Sequence, residues 1–160
     1  MKQKMDSRSG SIFQINVSDD GVPKHAVRSA ELTTFGLVGD SQRHQDIHGG
    51  PNRAVCLYSL EQILILQSEG NPIFPGSIGE NLTLAGLEWS QIVPGKKLRL
   101  GESVLLEITN YTSPCNTIVD SFIQGRYDRV SEKSNPGWSR VYARVLKTGT
   151  IRIGDTVMIE

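Results

Sequence analysis

Apolar and polar residues alternate along much of this chain with a period of two, the signature of strands with one buried face. Ile12, Gln14 and Asn16 interleave with Phe13, Ile15 and Val17, and Asp19-Asp20-Gly21 supplies the turn that follows. A weaker strand is predicted from Lys24 to Leu32, and a buried one from Arg53 to Tyr58. Asn81 to Leu87, Leu98 to Leu100 and Val104 to Thr109 repeat the pattern, and so does Val141 to Leu146. The turns Lys147-Thr148-Gly149 and Gly154-Asp155 separate two last short strands, Ile151–Ile153 and Val157–Ile159. The period lengthens to that of a helix in two places. Ser59 is a candidate N-cap with Gln62 three residues on, a capping box, and the helix through Ile63, Leu64 and Leu66 stops at Gly70. A second short helix is predicted from the Ser113-Pro114-Cys115 segment to Gln124-Gly125, followed by a polar loop from Arg126 to Pro136. The pattern predicts a mostly β, antiparallel β-barrel-like domain with two or three short helices.

Composition fits that class. The 160 residues are 38% apolar and 21% charged, with 16 glycines and 7 prolines for the many turns. Seventeen basic residues balance seventeen acidic ones, so no whole-molecule field attracts nucleic acid or an anionic membrane. The first residues carry charge without an apolar run, and the apolar stretch from Ala54 to Leu66 is too short and too polar to span a bilayer. The expected organisation is a flexible terminus over residues 1–11 and one domain over 12–160. A cytoplasmic location is expected, in which Cys56 and Cys115 are free thiols rather than a disulfide.

The chemistry centres on Cys115. Ser113 can cap, Pro114 suits the first helical position, and Cys115 becomes the second helical residue. Unpaired N–H groups and the helix dipole there stabilise thiolate over thiol. Such a thiolate can attack, carry sulfur as a persulfide, or ligate a soft metal. The alternative is a half-buried structural cysteine. Cys56, between Val55 and Leu57, reads as core. His44 and His48 stand four apart, but Gly49-Gly50-Pro51 argues against the helix a zinc pair needs. Anion binding suits that loop better, with the glycines exposing N–H groups and His48 and Arg53 adding donors, while a Gly-Gly turn before a strand is equally good hairpin chemistry. Gly76-Ser77-Ile78-Gly79-Glu80-Asn81 can cradle a phosphate or satisfy its own backbone. It is not a P-loop, because no Gly-Lys-Ser/Thr follows.

Taken in order, these segments resemble the MOSC family, the domain found at the C-terminus of molybdenum-cofactor sulfurases and in small stand-alone bacterial proteins. The matching residues are Gly36 to Asp40, His48-Gly49-Gly50, Arg53-Ala54-Val55 with Tyr58, and Gly79-Glu80-Asn81-Leu82. Pro114-Cys115, Pro136-Gly137-Trp138, Arg140 to Val145 and Gly154-Asp155 complete them. The resemblance implies a barrel-like fold and a protein that binds the molybdenum cofactor (molybdopterin) or carries sulfur for it. Cys115 would be the persulfide carrier or the molybdenum ligand. His48, Gly49, Gly50, Arg53, Asn81 and Arg140 would bind the pterin phosphate. A cysteine desulfurase or a molybdoenzyme is the implied protein partner, and no pyridoxal phosphate is expected on this chain. Many relatives carry a basic residue three before the cysteine and another two after it; Thr112 and Thr117 stand there instead. That leaves the helix start as the main expected source of thiolate stabilisation. The alternative reading is a non-catalytic β-barrel that binds a ligand or a partner, with a structural cysteine.

Overall fold

A computed structural model describes residues 8–41 and 50–160. His44, His48 and Gly49 lie outside the described residues, as does the terminus up to residue 7. Chain order gives β1 (Ser9–Val17), β2 (His25–Val27), β3 (Ser29–Thr33), β4 (Gly36–Leu37), β5 (Val55–Ser59) and α1 (Leu60–Ser68). There follow β6 (Leu82–Ala85), β7 (Lys97–Leu100), β8 (Val104–Tyr111), β9 (Val141–Lys147), β10 (Gly149–Arg152) and β11 (Thr156–Ile159). The strand predicted from Lys24 to Leu32 is two strands, β2 and β3, separated at Arg28.

β1 closes the barrel. Its first residues pair with β11, its middle with β6 across a bulge between Ile12 and Gln14, and its end with β2. The main sheet runs β11-β7-β8-β9-β5-β6-β1, and the β11–β1 pairing joins its two edges, with β2 added outside β1. Closure leaves these seven strands without a free edge. Ser9 to Ser11 are therefore paired strand, inside the stretch expected to be loose. Gly10 is required at the join, because a Cβ there would run into the Ala85 carbonyl and the Leu87 side chain.

The pairings are antiparallel except one: β5 and β6 run parallel. A parallel pair needs a crossover, and α1 supplies it. The Ser59 hydroxyl accepts the Gln62 N–H at 3.2 Å, as the cap predicts. The reciprocal half of the box is absent: the Gln62 carboxamide donates to the Gly137 carbonyl instead. Ile63 and Leu66 bury the inner face of α1, and Gly70 ends it with a φ of 97°.

Leu57, Leu82, Leu84, Leu98, Leu106, Ile108, Val141 and Ala143 point inward to one core. Its polar exceptions are concentrated where β1, β5 and β6 meet. The Asn81 carboxamide oxygen accepts the Cys56 N–H at 3.0 Å, while its nitrogen donates to Asp40 Oδ2 at 2.9 Å and to the Asn16 carbonyl at 3.3 Å. Asn16 in turn donates to the Glu80 carbonyl and to the Thr83 hydroxyl. Asn81 is fully buried, so removing its amide strands several polar groups away from water. Asn81→Ala is expected to cost roughly 2–4 kcal/mol in urea denaturation; an unchanged midpoint would show that water replaces the amide freely.

Candidate functional site

The segment from Thr112 to Cys115 leaves the end of β8 and runs beside the start of β9, with the Thr112 N–H donating to the Arg140 carbonyl at 2.9 Å. The α-helix predicted after it does not form. Asn116–Ser121 is a 3-10 turn, and Ile123–Gly125 is another, separated by extended Phe122. Thr117, Ile118 and Val119 are three consecutive β-branched residues, which crowd an α-helix. Ile118 and Ser121 lie three apart, and the tighter turn buries both. Cys115 is the residue before this turn, with extended φ −143° and ψ 178°, not the second residue of a helix. The six-residue turn lacks the N-terminal array of an α-helix, so the expected source of thiolate stabilisation is withdrawn. The Thr117 hydroxyl stands 2.9 Å from Cys115 Sγ.

Cys115 lines a cavity of about 190 Å³. Its other walls come from Lys24, Cys56, Gly79, Thr112, Arg140 and Tyr142, with Ile78 and Ile118 as apolar lining. Cys56 and Tyr142 are direct partners across β5 and β9, so their side chains share a face, and Arg140 precedes that face by two residues. Thr112 Oγ1 lies 3.8 Å from Cys56 Sγ. Burial pushes the Cys56 thiol up, against the opposing pull of Arg140. Burial likewise raises the Tyr142 phenol to about 12. Cys56 is core, as expected, with 4% exposure, yet it is also cavity wall.

Charge in the cavity is arranged unevenly. Lys24 Nζ sits 2.6 Å from Asp40 Oδ1 with both side chains 6% exposed, a buried pair whose charges offset each other. Arg140 is also 6% exposed, and its Nη1 donates to the Ile78 carbonyl at 2.6 Å. Its Nε has no partner, and among the described residues only Glu80 Oε1 shares that condition as a buried side-chain atom. The route of the chain into Arg140 is tightly held. Trp138 stacks on the Arg129 guanidinium at 3.9 Å and its carbonyl accepts the Tyr58 hydroxyl at 2.7 Å, while the Ser139 carbonyl accepts the Trp89 indole N–H at 3.1 Å. A guanidinium so fixed at the cavity wall suits an anion.

The other residues predicted for the site are distributed differently. Gly50 has a φ of 87° and begins the 3-10 turn Pro51–Arg53, outside the cavity lining. Arg53 stacks over the Tyr142 ring at 5.6 Å and lines a separate open groove with Glu107 and Arg144. Asn81 is occupied by the bonds given above and acts behind the wall. The cavity thus brings together Cys115 and Arg140 from that prediction, and adds Lys24, Cys56, Thr112 and Tyr142. Tyr142 was legible in part: a strand that aims Arg140 at a site aims Tyr142 there too. Lys24 had no local signal.

The family model for the MOSC domain matches residues 44–158. The chain belongs to the MOSC domain family. This MOSC protein is 31% identical over 138 residues to YflK of Bacillus subtilis, covering 85% of this chain and 61% of YflK. It is 38% identical over 88 residues to YiiM of Escherichia coli, covering 52% of this chain and 39% of YiiM. The chain therefore spans less than two thirds of either relative. The crystal structure of YiiM from Geobacillus stearothermophilus superposes with a TM-score of 0.73 at 23% identity, over 94% of this chain and 75% of that one, which establishes the shared fold. MOSC domains are associated with molybdenum-cofactor proteins.

Glu80, fully buried and outside the cavity lining, gives the fold a pH signature. Desolvation raises its carboxyl from 4.5 to about 7, outweighing the backbone N–H groups of Glu80, Gly76 and Ile78 and the charge of Arg140. A carboxyl whose folded pKa lies above its unfolded value binds its proton more tightly in the folded state. Its contribution to stability is complete below about pH 4.5 and is lost as the pH rises through about 7. Relative to Glu80→Gln, the wild type is expected to lose on the order of 3 kcal/mol across that interval. Urea denaturation of both proteins from acid to neutral pH measures the difference, and a difference independent of pH would refute the assignment.

Proposed function

We propose that this MOSC protein binds the molybdenum cofactor or carries sulfur for it, with Cys115 as the thiol that meets molybdenum or a sulfane sulfur. The observation that carries the reading is the convergence of Cys115 and the incompletely bonded Arg140 on one cavity. The donor set fits such a ligand: a thiol suits a soft metal or sulfur, and a buried guanidinium suits a phosphate. Drug-sized pockets run from about 300 Å³ upward, so a cavity of about 190 Å³ admits one end of a larger ligand. Bound there, the cofactor would supply redox and atom-transfer chemistry at molybdenum. The chain itself would present Cys115, hold the anion through Arg140, and keep water from the wall with Ile78 and Ile118.

In the carrier version, a cysteine desulfurase delivers the sulfur and Cys115 holds it as a persulfide until an acceptor, such as a molybdoenzyme, takes it. A cytoplasmic setting with free thiols accords with both versions. Among the described residues no helix is long and apolar enough to cross a membrane.

Two measurements separate the versions. Protein from a host replete in molybdenum cofactor is expected to retain molybdenum and a fluorescent pterin, with the metal lost in Cys115→Ala and the pterin weakened in Arg140→Lys. Incubation with a desulfurase and cysteine would instead add one sulfur atom to wild-type protein and none to Cys115→Ser, read by intact mass. Wild type that shows neither metal, pterin nor sulfur adduct refutes the proposal and leaves a barrel that binds another ligand or partner.

A further inference from the structure

One peptide joins Glu80 to Arg140. The Ile78 N–H donates to the Glu80 carboxylate, as does the Gly76 N–H, and the Ile78 carbonyl accepts Arg140 Nη1 at 2.6 Å. Ile78 and Arg140 line the cavity, whereas Glu80 lies outside its lining. Both charged side chains are withdrawn from water. Each keeps one atom without a protein partner, Glu80 Oε1 and Arg140 Nε, and among the described residues no other buried side-chain atom does so.

We propose that Glu80 is the proton-linked control of anion binding at Arg140: its carboxyl takes up a proton as an anion enters the cavity and releases it as the anion leaves. This control rests on the cavity being an anion site, as proposed above. A neutral Glu80 leaves the guanidinium charge to the cavity. An ionised Glu80 offsets that charge, in surroundings too dry to screen the interaction. Anion and carboxylate thus compete for one positive group. Linkage makes the effect reciprocal: the anion favours the protonated carboxyl by the same factor as the proton favours the anion.

The carboxyl is poised to respond, because burial raises it to about 7. The other groups around it do not supply that response. Arg140 stays charged. Burial raises the Cys56 thiol and the Tyr58 phenol, which both sense Glu80 and both remain protonated. Lys24 is paired with Asp40. The Thr83 hydroxyl, 3.5 Å from Glu80 Oε2, and the Asn16 carboxamide on the Glu80 carbonyl carry no charge.

Sulfate is the probe, because it keeps its charge near neutrality while a phosphate monoester titrates at about pH 6. Its binding to the full-length protein is measured by titration calorimetry from about pH 5.5 to about pH 8.5, in pairs of buffers that differ in ionisation heat. The wild type is expected to bind roughly five- to thirtyfold more weakly at the alkaline end, and to take up a fraction of a proton near pH 7. Glu80→Gln, neutral at every pH, is expected to hold the acid-end affinity throughout and to show no such uptake. Should Glu80→Gln fail to fold, the carboxyl carbon resonance of Glu80 in the wild type gives the same answer. Its titration midpoint should rise with saturating sulfate by the logarithm of the affinity ratio, about 0.7 to 1.5.

Sulfate bound with unchanging affinity and no proton uptake would overturn the proposal and leave the anion site standing. A pH dependence kept in full by Glu80→Gln would do the same, since His25, His44 and His48 titrate in this interval. Sulfate that does not bind the wild type, or that binds folded Arg140→Gln equally well (an adventitious ion only), would overturn both the control and the anion site beneath it.

Discussion

The buried carboxamide of Asn81 is the constraint around which the site is built. It joins the Cys56 N–H of β5, the Asn16 carbonyl of β1 and the Asp40 carboxylate. Asp40 extends the connection to Lys24 Nζ and to the Ser18 N–H. Two strands and two loops are thereby fixed to one another through a group with no exposure to water. Networks of this kind must be satisfied throughout, because each lost partner leaves a desolvated polar atom. The position of the cavity wall follows from that requirement.

On this frame the site places two cysteines in contrasting surroundings. Cys56 is held in a central strand, buried, with its thiol pushed toward the protonated form. Cys115 lies half-buried on a segment between β8 and a 3-10 turn, with a hydroxyl against its sulfur. Arg140 faces the same space and carries a donor that no protein atom satisfies. Its charge also bears on buried Glu80, opposing the rise that burial imposes on that carboxyl.

The strand pattern was legible because burial alternates along β11 and over the middle of β8 and β9, and one buried face fixes which residues point in. The helix after β5 was legible for a local reason as well, the Ser59 cap and the Gly70 stop. Helix and cap signals misled at Cys115. Ser-Pro before a polar residue is a valid helix start, but the run Thr117-Ile118-Val119 and the burial of Ile118 with Ser121 selected a 3-10 turn. Propensity is weak there, and packing decided the outcome.

Asn81 and Arg140 show where sequence reading ends. Both were identified by their place in the ordered motifs, yet one serves the frame and the other the cavity. Their roles depend on which groups lie within hydrogen-bond reach, and those groups come from residues 16, 40, 56 and 78. The sequence by itself determined a barrel-like domain of short strands, a helix from the Ser59 cap to Gly70 and Cys115 as the candidate thiol, because each is written in neighbouring residues. Only the tertiary structure decided that Lys24, Cys56 and Tyr142 share the cavity, that Arg53 faces another groove, and that a threonine attends the sulfur. Barrel closure brings distant strands together, and no local pattern specifies which polar groups it leaves facing one another.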